Sequence, residues 1–302
     1  MDTSRGRWVV KASTPVSEWQ LATMEAAGRL ERAARAAGVS IPRPVPPAGR
    51  AVGYWGRHAG GACYVRVSER LAGQHPTLPA DPALATWLGR SLATIERLAL
   101  PADAPVEKVY ARRPDAVLAT WLERCHRRGV LTAAGAGRLR HAIGEADTLV
   151  AAAVRNLPAQ TGLRLAHRDM NWQNILLTGA GPVLLDFDHA GPEVPWWELV
   201  HQAFQASGWE LGDDEPAPPT VGAALAGYLD GGGQAGPADG TAFAGLLRST
   251  LDWTTFNLWC ALHHDETRQP VEWAEACRAV TRAADRLLSI LDSLDRWAML
   301  LR

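Results

Sequence analysis

A chain of 302 residues with 31 lysines and arginines against 32 aspartates and glutamates carries a net charge of −1. The length allows one large domain or two lobes with an ample core, and the even charge balance gives no reason to expect a nucleic-acid or anionic-membrane partner. Cys63, Cys125, Cys260 and Cys277 are scattered, with no CxxC pair, no apolar run approaches the ~20 residues of a membrane span, and the polar start MDTSRGR is not a signal peptide. A soluble, cytoplasmic protein with free thiols is expected.

In chain order, residues 7–12 (RWVVKA) read as a β-branched strand carrying one lysine, Lys11. Residues 17–38 read as a helix: Ser17 with Gln20 makes a capping box and Gly38 supplies the stop. Glu18, Glu25 and Glu31 lie along it. Pro42, Pro44, Pro46 and Pro47 form a stiff connector, after which residues 51–55 and 62–67 are expected as two strands joined by 56–61, the second running into residues 68–73. Asp81-Pro82 opens a helix in cap-then-proline order, with Leu84, Trp87, Leu88, Leu92 and Ile95 at helical spacing as its buried stripe. Residues 115–127 and 134–155 read as two further helices.

The second of these feeds residues 163–190, LRLAHRDMNWQNILLTGAGPVLLDFDHA, around which the rest is organised. His167-Arg168-Asp169 is followed, five residues after the aspartate, by Asn174. The apolar runs 175–177 and 183–185 flank a glycine-rich turn as a hairpin, and Asp186-Phe187-Asp188 follows it. Phosphoryl transfer needs this set, because its catalysis is positioning plus neutralisation of charge on the transferred group, with one carboxylate to orient the attacking hydroxyl. Asp169 is the candidate carboxylate, and His167 and Asn174 complete the candidate catalytic set. Asn174, Asp186 and Asp188 offer hard oxygens to Mg²⁺, which uses few protein ligands. Taken singly these residues are also common turn and cap formers; their joint spacing argues for chemistry.

Beyond the hairpin, residues 195–206 are expected to be helical and carry Trp196, Trp197 and Phe204. Residues 212–219 (GDDEPAPP) form an acidic, proline-rich loop, suited either to attracting a cationic substrate or simply to solvation. Residues 231–240 read as a second flexible segment, and 243–262 and 271–301 as long helices. Thirteen tryptophans imply large apolar surfaces.

The HxDxxxxN pattern at His167, Asp169 and Asn174, with the apolar strand and Asp186-Phe187-Asp188 after it, resembles the aminoglycoside phosphotransferase family, a small-molecule branch of the protein-kinase-like fold. The stretch GPEVPWWEL at 191–199 is similar to the family's continuation, with Glu198 where the family often has aspartate. The resemblance implies an α+β, two-lobed fold: a reduced N-lobe of small antiparallel sheet plus helix over residues 1–73, and a mostly helical C-lobe over 74–302. It implies ATP or GTP as donor and Lys11 on the nucleotide phosphates. Glu25 is implied as the partner of Lys11, with Glu18 and Glu31 as competitors. The hinge falls at Ser68, Glu69 and Leu71, where extended backbone offers N–H and C=O groups to the base. The C-terminal helices would build the acceptor pocket, which makes Asp252, Trp253, Asn257, His263, His264, Asp265 and Glu266 candidates.

One departure stands out. Ten residues before Lys11 are too few for the glycine-rich hairpin that the family places there, since two strands of ~5 residues plus a turn need more. Upstream sequence, another part of the chain or a partner protein would then cover the phosphates, or catalysis has been lost. The expected activity is transfer of a γ-phosphoryl group to a hydroxyl of a small molecule. The alternatives are a kinase acting on Ser or Thr of a peptide alongside a partner enzyme, and a nucleotide-impaired pseudokinase serving as a scaffold.

Overall fold

The structure is a computed structural model that describes residues 2–3, 6–15, 17–58, 61–102, 106–111, 115–158, 161–209, 215–264 and 270–302. It is mixed α+β and divides into two compact units, Met1–Ala104 with Leu163–Ala235, and Pro105–Gly162 with Gly236–Arg302. The expected lobe boundary near Gly73 falls within the first unit.

The first unit opens with a five-stranded antiparallel sheet of β1 (Asp2–Thr3), β2 (Gly6–Ser13), β3 (Ala51–Val52), β4 (Trp55–Arg57) and β5 (Tyr64–Glu69), in the order β1-β2-β5-β4-β3. Lys11 of β2 lies directly across from Arg66 of β5, and directly opposed residues of an antiparallel pair share a face. The stretch 51–55, expected as one strand, is a tight hairpin instead, because Gly53 turns the chain with a φ of +56°. That turn is also where α1 (Glu18–Ala36) docks. A Cβ on Gly28 of α1 would lie 2.5 Å from the Gly53 Cα, so the approach requires glycine on both sides. Ser17 caps α1 as its sequence predicts, its hydroxyl accepting the Gln20 amide at 3.3 Å. The helix buries Ala27, Leu30, Glu31 and Ala34, an i, i+3, i+4, i+7 stripe with one carboxylate on it. The proline connector pairs with the part of β5 beyond the reach of the short β4: the Val45 amide donates to Val67 at 2.8 Å and the Glu69 amide to Arg43 at 3.0 Å.

After β5 come α2 (Pro82–Arg97), whose Asp81 cap accepts the Leu84 amide at 2.9 Å, then two short hairpin-like pairings. β6 (Arg164–Ala166) pairs with β9 (Gly191–Glu193), and β7 (Ile175–Thr178) with β8 (Gly181–Leu184), antiparallel in both cases. The β7–β8 pair is the hairpin predicted from the apolar runs. Two helices complete the unit, α6 (Pro195–Ala206), with the predicted bounds, and α7 (Pro218–Asp230). The α7 helix was not expected, since its residues lie between two segments that read as loops. It packs along α2 so closely that a Cβ on Gly89 would lie 2.0 Å from the Ala224 carbonyl.

The second unit is helical: α3 (Val106–Val109), α4 (Asp115–Arg127), α5 (Ala133–Arg155), α8 (Ala244–His263) and α9 (Pro270–Ala298). The long helices α5, α8 and α9 pack against one another, with α4 on α5 and α8. All four cysteines are free thiols. Among the described residues no helix is long and apolar enough to cross a membrane. Asp265, Glu266 and positions 212–214 of the acidic loop lie outside the described residues.

Candidate active site

The segment from β6 to β7 carries the HxDxxxxN residues, and its shape is set by Asn171. The Asn171 Oδ1 accepts the amides of Gln173 at 2.8 Å and Asn174 at 3.2 Å, capping the single turn Trp172–Asn174. Its Nδ2 donates to Asp169 Oδ1 at 2.5 Å. Asn174 Nδ2 donates to Asp169 Oδ2 at 2.7 Å and to the Asp169 carbonyl at 2.9 Å. Both oxygens of the Asp169 carboxylate are therefore fixed by side-chain amides. Burial lifts this carboxyl above its ordinary value, against the opposing pull of His189 and the two amides.

His167 is fully buried. Its Nδ1 accepts the Asp169 amide at 3.2 Å, so the ring proton sits on Nε2, which donates to the Leu185 carbonyl at 3.0 Å. Burial holds the imidazole down to about 4, which keeps it neutral, and Phe187 packs on it edge to face at 4.5 Å. His167 thus ties the loop of Asp169 to the end of the hairpin rather than facing the cleft. Arg168 has a φ of +66°, uncommon for a side chain of its size. Its amide donates to Glu198 Oε1 at 2.6 Å. Glu198 of α6 is buried and its carboxyl is pushed up to about 7, by desolvation first.

Asp186 also has positive φ, +54°, and caps the turn Phe187–His189, accepting the Asp188 amide at 3.3 Å. Lys11 Nζ meets Asp186 Oδ2 at 2.6 Å and Asp188 Oδ2 at 3.1 Å. Burial acts to raise the Asp186 carboxyl, but the hydrogen bond and charge of Lys11 outweigh it and leave the group below its ordinary value. Asp188, expected as a metal ligand, has both oxygens engaged, since Arg66 Nη1 reaches Oδ1 at 3.3 Å. Glu25, expected as the Lys11 partner, instead accepts the Gly53 amide at 2.6 Å. The buried carboxylate of α1 is Glu31, and its partner is Arg66, at 2.7 Å. Glu25 misses the role because it lies off the buried stripe on which Glu31 sits.

These groups adjoin a cleft of about 410 Å³ whose walls include Val9, Lys11, Arg66, Asn174, Leu176 and Asp186, with Ser68, Glu69, Arg70 and Leu71 along one side. Of the hinge amides, that of Glu69 donates to Arg43 and that of Arg70 to Arg7 at 2.9 Å, whereas the Leu71 amide has no partner among the described residues. Glu69 turns its carboxylate onto the Arg43 amide at 2.6 Å. No group of three or more His, Cys, Asp or Glu side chains converges on a metal position among the described residues. The Asn174 amide and Asp186 carboxylate are a sparse set of hard oxygens, which suits a magnesium ion completed by water and phosphate.

Of the C-terminal candidates, Asp252, Trp253, Asn257 and His263 lie in α8 of the second unit and His264 directly follows it. Asp252 is paired with Arg248 at 2.7 Å, Asn257 donates to the Trp253 carbonyl at 2.8 Å, and His263 bonds the Trp259 carbonyl at 2.8 Å while stacking on its ring. Trp253 is exposed and stacks on Phe256. Two residues of the first unit escaped the sequence reading. Asn171 stands inside the motif but at a position its spacing does not mark. Arg66 sits between valines of β5, and a cation in the middle of an apolar strand was the signal that it has buried partners.

A small antiparallel sheet with one helix, followed by a hairpin of this form, is the protein-kinase-like fold of the small-molecule kinases. The chain belongs to the phosphotransferase enzyme family, whose model matches residues 1–246. Among solved structures, it is similar to an aminoglycoside phosphotransferase from Alicyclobacillus acidocaldarius, at 17% identity and a TM-score of 0.57, covering 98% of this chain and 88% of that one. Spectinomycin phosphotransferase in complex with ADP and spectinomycin is 13% identical with a TM-score of 0.61, over 95% of this chain and 88% of the other. A microcompartment-associated aminopropanol kinase is 15% identical, also with a TM-score of 0.61, over 96% and 87%. No curated protein sequence matches. At these identities the structural likenesses carry the fold.

Proposed function

We propose that this protein transfers the γ-phosphoryl group of ATP to a hydroxyl of a small molecule, with Mg²⁺ as the metal. The observation that carries this reading is the Asp169 carboxylate, held on both oxygens by Asn171 and Asn174 in the loop that leads through one hairpin to Asp186 and Lys11. A fixed carboxylate with a raised pKa is suited to orienting a hydroxyl and taking its proton as attack proceeds. His167 and Glu198 act at one remove, holding the backbone on either side of Arg168 so that Asp169 keeps its place.

Asn174 ties its nitrogen to Asp169, which turns its carbonyl oxygen away, and that oxygen with Asp186 would hold Mg²⁺. When bound, the ion neutralises charge on the phosphates. Lys11 adds a second positive charge for them, and Asp188 orients its ammonium. The Leu71 amide is the hinge group open to a base edge. The relatives named for aminoglycosides, spectinomycin and aminopropanol make antibiotics and amino alcohols the acceptors to screen.

The test is calorimetric titration of ATP, with and without Mg²⁺, into the wild-type protein and Asp186→Ala. Binding that needs the metal and is lost in the variant is the expected result. A wild-type protein that binds no nucleotide at millimolar concentration would overturn the reading.

A further inference from the structure

The ion pairs around Lys11 are arranged in a way that gives Arg66 a task of its own. Arg66 and Lys11 are cross-strand neighbours on one face of the sheet, yet the buried glutamate of α1 pairs with Arg66 and not with Lys11. The two terminal nitrogens of Arg66 go to different elements, Nη2 to Glu31 of α1 and Nη1 to Asp188 beyond the hairpin. Asp188 in turn holds Lys11 through its other oxygen. Arg66 is nearly enclosed, with 11% of its side chain exposed against 39% for Lys11. The second oxygen of Glu31 is buried with no hydrogen-bond partner among the described residues, so the pair with Arg66 is the direct contact that holds this carboxylate, with the charge of Arg35 acting on it more weakly.

We infer that Arg66 is a positioning residue for phosphoryl transfer: its planar fork ties α1 to the Asp186–Asp188 turn and thereby sets where Lys11 stands. Removing Arg66 strips Glu31 of its direct ion-pair partner and leaves only the weaker pull of Arg35, and a buried carboxylate without a paired donor is costly. It also frees Asp188 from one of the two cations that fix it. Lys11 then loses its bearing although its own side chain is untouched. A lysine at position 66 would not substitute, because a single ammonium on a flexible stem lacks the two separated donors that reach both carboxylates. The exposed Lys11 ammonium is left for nucleotide phosphates, a division of labour between two cations on adjacent strands. The link to phosphoryl transfer rests on the proposed function; the tie itself does not.

The experiment is hydrogen exchange on the full chain without nucleotide, in wild type, Arg66→Met and Arg66→Lys, followed by calorimetry of ATP with Mg²⁺. In Arg66→Met, amides in both the 27–34 part of α1 and the 187–190 turn should exchange at least about tenfold faster, while α2 and α6 stay protected. Metal-dependent nucleotide affinity should fall about tenfold with them, and Arg66→Lys should restore neither. Faster exchange confined to β5, or full restoration by lysine, overturns the inference, because a merely structural charge would do either. If Arg66→Met does not fold, Glu31→Gln takes its place and should loosen the same two segments; unchanged exchange there also overturns it. Coupled loosening in a protein whose wild type binds no nucleotide would sink the proposed function and leave the tie standing.

Discussion

Glu198→Gln separates the charge of a buried carboxylate from its hydrogen bond. Glu198 accepts the Arg168 amide at 2.6 Å and is 5% exposed, and its carboxyl is pushed from the usual 4.5 to about 7, by burial first, with Arg168 opposing and Glu96 adding to the shift. Because the folded value is the higher one, the native protein holds this proton more tightly than the unfolded chain does. The stabilisation from that proton is full below about pH 4.5 and is lost as pH rises through about 7. A shift of that size corresponds to about 3 kcal/mol. Glutamine keeps an acceptor for the Arg168 amide and cannot ionise. Urea unfolding of both proteins at intervals from pH 4.5 to 8, followed by tryptophan fluorescence, should show the variant gaining on the wild type by about 3 kcal/mol across that range. Taking the difference removes the other raised carboxyls, Glu31, Glu96 and Asp169, which titrate in both proteins. A gap that stays constant within about 0.5 kcal/mol would refute the argument that Glu198 is ionised at a cost in the native protein.

Gly28→Ala runs against helix propensity. In an exposed helix it stabilises by about 1 kcal/mol, but here the added Cβ meets the Gly53 Cα at 2.5 Å, so a lower urea midpoint is expected and a higher one would show that the α1 contact yields easily. Asp169→Asn should cut kcat by about 10²–10⁴ with an acceptor found by screening, while leaving circular dichroism and nucleotide affinity near wild type; near-normal turnover would remove Asp169 from the proposed role.

The hairpin of the candidate site was legible because its cues are local. Two apolar runs around a glycine turn specify β7 and β8, and the spacing from Asn174 to Asp186 is fixed by that hairpin's length. Helix bounds were legible wherever a cap was written into the sequence, as at Ser17 and Asp81. What stayed hidden depends on which distant residue arrives opposite which. Nothing near Glu25 or Glu31 says which lies on the stripe facing the sheet, and the register that sets Arg66 across from Lys11 joins residues far apart in the chain. The α7 helix was missed for the same reason: its partner, α2, begins more than a hundred residues earlier.

The electrostatics of the two loop aspartates follow from those long-range contacts and bear on the proposed chemistry. Asp169 and Asp186 are both largely enclosed, and burial by itself acts to raise each carboxyl. The difference lies in their partners. Asp169 is held by neutral amides, which fix its direction while leaving it raised, and Asp186 meets the Lys11 ammonium at 2.6 Å, which drives it down. Two carboxyls pushed in opposite directions are suited to opposite tasks, one to receiving a proton and the other to staying anionic beside a cation. Replacing Asn174 with aspartate would put a negative charge against Asp169 and raise it further, so the neutral amide at that position serves the proposed base as much as the proposed metal.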